Sequence, residues 1–305
     1  MKHPLSIDGV AIEDTFAEAF PMRATRLIIT ADSHQWAMQA AISATGFATS
    51  VIGCGCEAGI ETELSRRETP DGRHGVSILI FAMSAKDLHK HVERRAGQCV
   101  LTCPTTAAYG GIPPESAHEW LGLGRSLRYF GDGYQISKLI DGRRYWRIPV
   151  MEGEFVCEER AGSMKSIGGG NFLILARDRP AAVAAAERAV KAMRKVRNII
   201  LPFPGGVVRS GSKVGSKYKS MMASTNDAYC PTLVGVTQTK LPPDVGSVLE
   251  IVIDGLDAAS IQLAMRAGIR ASCTRGSDRG VVGITAGNYG GKLGPHHFHL
   301  RELLA

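Results

Sequence analysis

At 305 residues, 44% of them hydrophobic, the chain is long enough to build two cores of ordinary size. No apolar run reaches the roughly 20 residues a membrane span requires and none near the N-terminus has signal-peptide length, which points to a cytoplasmic protein with no membrane partner. A net charge of +7 and a pI near 9.1 favour acidic partners, but 6% aromatic content and the lack of a basic helix with interleaved aromatics argue against nucleic acid.

Residues 12–20 read as a helix start or a tight acidic turn after a short hairpin-like opening. A first unit then predicts a strand over Arg26 to Thr30, a helix over Ser33 to Thr45 and a strand over Ala48 to Ile52. A second unit repeats the plan with a strand over Val76 to Phe81, a helix over Ala85 to Ala96 capped by Ser84, and a strand over Cys99 to Cys103. From Leu127 to Glu159 apolar and polar residues alternate between turn signals such as Asp141-Gly142, the pattern of antiparallel hairpins. The β-α-β plan then returns twice: strand Asn171 to Ala176, helix Pro180 to Val196, strand Asn198 to Leu201; and strand Val248 to Ile253, helix Ala258 to Ser272, strand Val281 to Thr285. The fold class expected is α+β, with two ferredoxin-like α/β-sandwich lobes from a duplicated β-α-β-β-α-β plan and antiparallel hairpins between them. The expected lobes are residues 1–158 and 159–305.

One stretch fits no regular element. Pro202 to Thr232 is rich in Gly, Pro and Ser, and from Arg188 to Asn226 the chain carries nine Lys or Arg and no Asp or Glu. Glycines there allow backbone N–H groups to approach an anion, and Arg209, Lys213 and Lys217 supply positive charge beside the hydroxyl of Ser212. An acidic ligand is the natural partner. The string Gly206 to Lys213 resembles a phosphate-binding P-loop, but its last two residues stand in the wrong order, which disfavours nucleotide hydrolysis.

Among the carboxylates Glu250 is the informative one. A strand over Ser247 to Asp254 puts Val248, Glu250 and Val252 on one face, so Glu250 is either a solvent-facing strand residue or an acid among apolar neighbours. If that face is covered, desolvation raises its pKa and makes it a candidate general acid or base. Asn226 and Asp227 are of the type that braces its own loop through side-chain to backbone bonds. The seven cysteines and the cluster His296, His297 and His299 lack the spacing of a metal centre, so no metal is expected.

Several unusual strings, Glu13 to Phe20, Glu68 to Arg73, Phe130 to Tyr134, Pro202 to Gly206, Ser212 to Lys217, Ala223 to Pro231 and Ala286 to Gly294, together resemble formylmethanofuran:tetrahydromethanopterin formyltransferases over nearly the whole chain. Within that family the sequence is most similar to the D subunit of bacterial formyltransferase/hydrolase complexes; it departs from the pattern over Gly111 to Arg125 and Thr274 to Gly280. The resemblance implies transfer of a formyl group between methanofuran and tetrahydromethanopterin as co-substrates in one-carbon metabolism, with no bound cofactor and no covalent enzyme intermediate. It implies a homotetramer that is also a subunit of a larger complex, and a catalytic role for Glu250. Substrate binding then falls to Arg209, Ser212, Lys213, Lys217, Asn226 and Asp227: the lysines for carrier carboxylates or phosphate, Ser212 and Asn226 for positioning the amide. The alternative is a non-catalytic scaffold subunit that presents a carrier to partner hydrolase subunits.

Overall fold

A computed structural model describes residues 5–211 and 213–305. The chain packs as two compact units, one of Met22–Ser166 and the other of the chain up to Pro21 together with Ile167–Ala305.

In the unit Met22–Ser166 the strand Phe16–Ala31 enters with its residues from 22 onward, followed by helix His34–Thr45, strand Glu57–Leu64, strand His74–Ala82, helix Ala85–Arg95 and strand Ala107–Gly110. The four strands pair antiparallel in the spatial order Glu57–Leu64, His74–Ala82, Phe16–Ala31, Ala107–Gly110, which is the ferredoxin-like arrangement. Each helix starts where the sequence supplies a cap: the Trp36 N–H donates to Ser33 Oγ and the Asp87 N–H to Ser84 Oγ. Small residues at helical spacing, Ala37, Ala40, Ala41 and Ala44, lay the first helix close on the sheet, against Ile29, Ile78 and Ile80. The expected hairpins are the meander Ile136–Ile140, Arg143–Val150 and Gly153–Glu158, which extends this unit's sheet through a parallel pairing of Val156 with Ala107.

Two predicted strands are not strands. Residues Ala96–Val100 prolong the second helix as a π-helical turn, and the strand forms instead at Ala107–Gly110. Burial of Ala96, Val100 and Leu101 on the core decides that segment over the β-propensity of Val and Thr. Likewise Val51–Cys54 is a helical turn, opened by Ser50 Oγ accepting from the Ile52 N–H and closed by Gly55 at φ 77°, so the strand begins only at Glu57.

The second unit has the same topology. Residues 167–176 of the strand Arg160–Ala176, helix Arg179–Met193, strand Ile199–Ile200, strand Ser247–Gly255, helix Ala258–Cys273 and strand Val281–Thr285 follow in order. The sheet runs Ile199–Ile200, Ser247–Gly255, 167–176, Val281–Thr285, again antiparallel throughout. One face carries Phe172, Ile174, Ile251 and Ile253 against Ala185, Ala189, Met193, Ile261, Met265 and Ile269 of the two helices. Each such fully buried large side chain contributes about 1.5–3 kcal/mol. The other face carries Leu173, Leu175 and Val248, and it is covered by Tyr229, Leu241 and Val245 from the long connection before Ser247.

The division between units is not the one expected after residue 158. The hairpin Leu5–Ile7 and Val10–Ile12 joins the second unit by pairing Ala11 with Gly283. Phe16 to Ala19, expected as a helix start or turn, are strand and pair with His299 to His296. Pairing with His296–His299 and burial of Ala17, Glu18 and Ala19 together outweighed the acidic residues that suggested a helix entry.

Candidate active site

Between Ile200 and Ser247 the chain leaves the sheet of the second unit for 201–246 before returning. It is not wholly irregular: Lys213 pairs with Ser224 and Val214 with Ala223 in a two-stranded ribbon, and single 3-10 turns form at Pro204–Gly206, Asp227–Tyr229 and Pro231–Leu233. The segment is tied to the sheet at Val208, whose N–H donates to Glu250 O at 2.7 Å while the Glu250 N–H donates to Val208 O at 3.0 Å. At Gly211, φ is 74° and a Cβ would lie 2.7 Å from the Asn226 backbone nitrogen, so only glycine lets these two stretches touch.

This cover resolves the alternative left open for Glu250. Its side chain stands on the sheet face away from the helices, across from Leu173, which also registers with Thr285, and the residue is 4% exposed. A cavity of about 90 Å³ reaches it, walled by Arg209, Ser210, Asn226, Tyr229 and Cys230 among others. Burial pushes the Tyr229 hydroxyl above its usual pKa, so it stays a neutral donor.

A second cavity, about 190 Å³, shares the Asn226 wall and is bounded by Lys213, Asp227, Lys240, Asn288 and Tyr289. Lys213 Nζ donates to Asp227 Oδ1 at 2.7 Å, and that bond holds the Asp227 carboxyl below its ordinary range. Asp227 therefore braces the basic ribbon across the loop. Tyr289 accepts the Val214 N–H on its hydroxyl at 3.3 Å; burial raises its pKa, the Val214 bond opposes this, and the negative charges of Glu250 and Glu18 raise it further. A third, larger space of about 540 Å³ lies on the helix side of the Val207–Ser210 segment, with Val183, Phe203, Val207 and Leu249 as apolar walls and Arg209 and Glu187 at its edge.

Of the residues expected from the sequence, Glu250, Arg209 and Asn226 meet at the first cavity, and Lys213, Asn226 and Asp227 at the second. Lys217 is exposed and lines neither. Ser212 lies outside the described residues. Among the described residues no group of three His, Cys, Asp or Glu is placed to hold a metal ion, and all seven cysteines are free thiols. Sequence reasoning missed Tyr229, Lys240, Asn288 and Tyr289, and above all Glu18, which is 2% exposed. The signal for Glu18 was present: like Glu250 it is a lone acid between apolar residues on a strand, Phe-Ala-Glu-Ala-Phe.

The chain is thus a two-lobed α+β protein whose second unit holds a buried carboxylate, Glu250, under a glycine-rich cover that carries Arg209 and Lys213. Family models agree lobe by lobe: residues 5–150 match "Formylmethanofuran-tetrahydromethanopterin formyltransferase" and residues 153–303 match "FTR, proximal lobe". A formylmethanofuran–tetrahydromethanopterin formyltransferase of Methylococcus capsulatus is 64% identical over 299 residues, covering 98% of this chain and 99% of the relative. The corresponding component of the formyltransferase/hydrolase complex of Methylorubrum extorquens is 52% identical, covering 98% and 97%. Among solved structures, that organism's formyltransferase/hydrolase complex with methylofuran superposes with a TM-score of 0.96 at 52% identity over 99% of both chains. The formyltransferase of Methanosarcina barkeri superposes with a TM-score of 0.92 at 48% identity, covering 98% and 100%. The chain belongs to the formylmethanofuran–tetrahydromethanopterin formyltransferase family.

Proposed function

We infer that this chain transfers a formyl group between formylmethanofuran and tetrahydromethanopterin, by direct attack with no acyl-enzyme. The observation that carries the mechanism is Glu250, 4% exposed, at the wall of a cavity shared with Arg209 and Asn226. A pterin ring nitrogen attacks the formyl carbon; the new C–N bond forms, the old C–N bond to the methanofuran amine breaks, and one proton leaves the attacking nitrogen while one reaches the departing amine. Glu250 is placed to accept the first and deliver the second. Asn226 positions the formamide and supplies a neutral donor for the developing oxyanion. Holding both carriers in one site contributes the orientation that a bimolecular reaction lacks.

Lys213, with Lys240 across the same cavity, neutralises carrier carboxylates or phosphate, and Arg209 does so at the neighbouring cavity. The same reading extends to a protein that uses no bound cofactor, works in the cytoplasm, assembles as a homotetramer and joins a larger formyltransferase/hydrolase complex. The test is a spectrophotometric assay of the purified chain with both carriers. Formation of formyl-tetrahydromethanopterin by the chain alone supports the transferase; tight carrier binding without turnover would favour the scaffold alternative. Mass photometry of the same sample reads the assembly.

A further inference from the structure

A buried acid outside the cavities organises one of their walls. Glu18 lies on the strand Phe16–Ala31 and is 2% exposed. Its Oε2 accepts the N–H groups of Tyr289, at 2.7 Å, and Gly291, at 3.2 Å; its Oε1 accepts those of Gly294, at 2.9 Å, and Leu293. The four donors all belong to one loop, 287–294. Further ties hold the start of the same loop: Gly287 N–H donates to Asn171 Oδ1 at 2.6 Å, Gly287 O accepts from Asn171 Nδ2 and from the Glu18 N–H, each at 3.3 Å, and Asn288 Nδ2 donates to Thr15 Oγ1 at 2.9 Å and to Phe16 O at 3.2 Å. Burying a charge costs several kcal/mol unless its bonds are made; these four N–H groups make them, and they pull the Glu18 carboxyl below its ordinary pKa against the burial that raises it.

An amide could not replace this arrangement. Glutamine offers one acceptor oxygen, and its NH2 would face loop N–H groups that are themselves donors. The position of the loop therefore depends on a carboxylate at residue 18. That position matters because Asn288 and Tyr289 form a wall of the cavity that holds Lys213 and Lys240. It matters a second time because the Tyr289 hydroxyl receives the N–H of Val214, the neighbour of Lys213 on the basic ribbon. The links run from Glu18 to the Tyr289 backbone, from the Tyr289 hydroxyl to Val214, and so to Lys213, which Asp227 grips from the other side.

We propose that Glu18 is a positioning residue for the binding of one anionic carrier: it sets loop 287–294 so that Tyr289, Asn288 and Lys213 present a preformed cavity to that carrier and leave the binding of the other carrier untouched. The proposal rests on the reading of that cavity as a carrier site. The test uses the full chain carrying Glu18→Gln, with Lys213→Met as the reference variant, and measures KM for each carrier separately, kcat, and hydrogen exchange of the backbone amides of 289–294.

In Glu18→Gln those amides are expected to exchange faster. The KM is expected to rise at least about tenfold for the carrier whose KM responds to Lys213→Met and to stay within about twofold for the other. Effects of Glu18→Gln and Lys213→Met in one chain are expected to be less than additive, since both act on one cavity. An equal fall in activity toward both carriers, or loop amides that keep their wild-type protection, would overturn the positioning role. If Lys213→Met changes neither KM while wild-type turnover is intact, the carrier-site reading fails and the inference fails with it. Should Glu18→Gln not fold, Glu18→Asp, which keeps the charge on a shorter arm, is held to the same criteria; failure of both to fold would assign Glu18 to stability alone and overturn the proposal.

Discussion

Replacing Glu250 with glutamine separates the chemistry of the site from its architecture. The side chain is 4% exposed, so glutamine fills the same volume under the same cover, and the two hydrogen bonds that tie residue 250 to Val208 are between backbones and persist. The fold is therefore expected to persist, with any change in Tm measured beside the kinetics. What the substitution removes is a group able to take a proton from the attacking nitrogen and give one to the leaving amine. Positioned acid–base catalysis contributes roughly 10²–10⁴ in rate, about 3–5 kcal/mol of barrier. The expected result is a fall in kcat of that size in the spectrophotometric assay, in both directions of reaction, with KM for each carrier within about threefold of wild type. A kcat within about threefold of wild type, about 0.7 kcal/mol, would refute the proton-shuttle role and leave Glu250 as a packing residue.

Lys213→Met is expected to raise KM for one carrier about tenfold while barely moving Tm, because the Lys213–Asp227 pair is between half-exposed side chains and such pairs contribute about 0.2–1 kcal/mol. The wild-type KM for that carrier should climb with added salt and the variant's should climb less steeply, since Lys240 remains in the cavity; equal salt slopes would count against the contact. Acid lability follows from Glu18 and from Asp71, which is raised by burial but held lower by bonds from Thr30 and Arg73, both carboxyls ending below their ordinary values of 4.5 and 3.8. Their stabilisation is complete above those ordinary values and is lost as pH falls through the lowered folded values, so Tm should hold from neutral pH to about 5 and decline below about 4.5. A Tm by calorimetry that is flat down to pH about 3 would contradict that origin. Arg26→Met removes two bonds of 2.7 Å from the Glu61 carboxylate, whose side chain is 1% exposed and keeps the bond from the Ser77 hydroxyl, and a loss of up to about 3 kcal/mol is expected in denaturant unfolding.

The repeated ferredoxin-like plan was legible because its helices announce themselves locally, through caps such as Ser33 and Ser84 and small residues at helical spacing. The segments misread, Ala48 to Ile52 and Cys99 to Cys103, carry apolar residues whose periodicity is too short to separate one helical turn from a strand. At the site the chemistry-bearing types were visible and their environment was not. Whether Glu250 faces water is decided by the segment that carries Val208, Asn226 and Tyr229, residues that reach its sheet face only through tertiary folding. Lys217 shares the composition of Lys213 and none of its surroundings, because only Lys213 lies on the paired ribbon opposite Asp227. Glu18 escaped notice for a related reason: its segment read as a helix start, which hid that, like Glu250, it is a single acid among apolar residues of a strand.

The two units share one topology in their four-stranded cores and differ in length at one equivalent tip. Where the strands Glu57–Leu64 and His74–Ala82 are joined by the short turn 65–73, the equivalent strands Ile199–Ile200 and Ser247–Gly255 are joined by 201–246. Closing a loop about five times longer costs only about 1.4 kcal/mol in chain entropy, since the cost grows with the logarithm of length. A ferredoxin-like scaffold can thus carry a long connection that walls cavities against its outer sheet face, while its helices and inner sheet face keep the same arrangement.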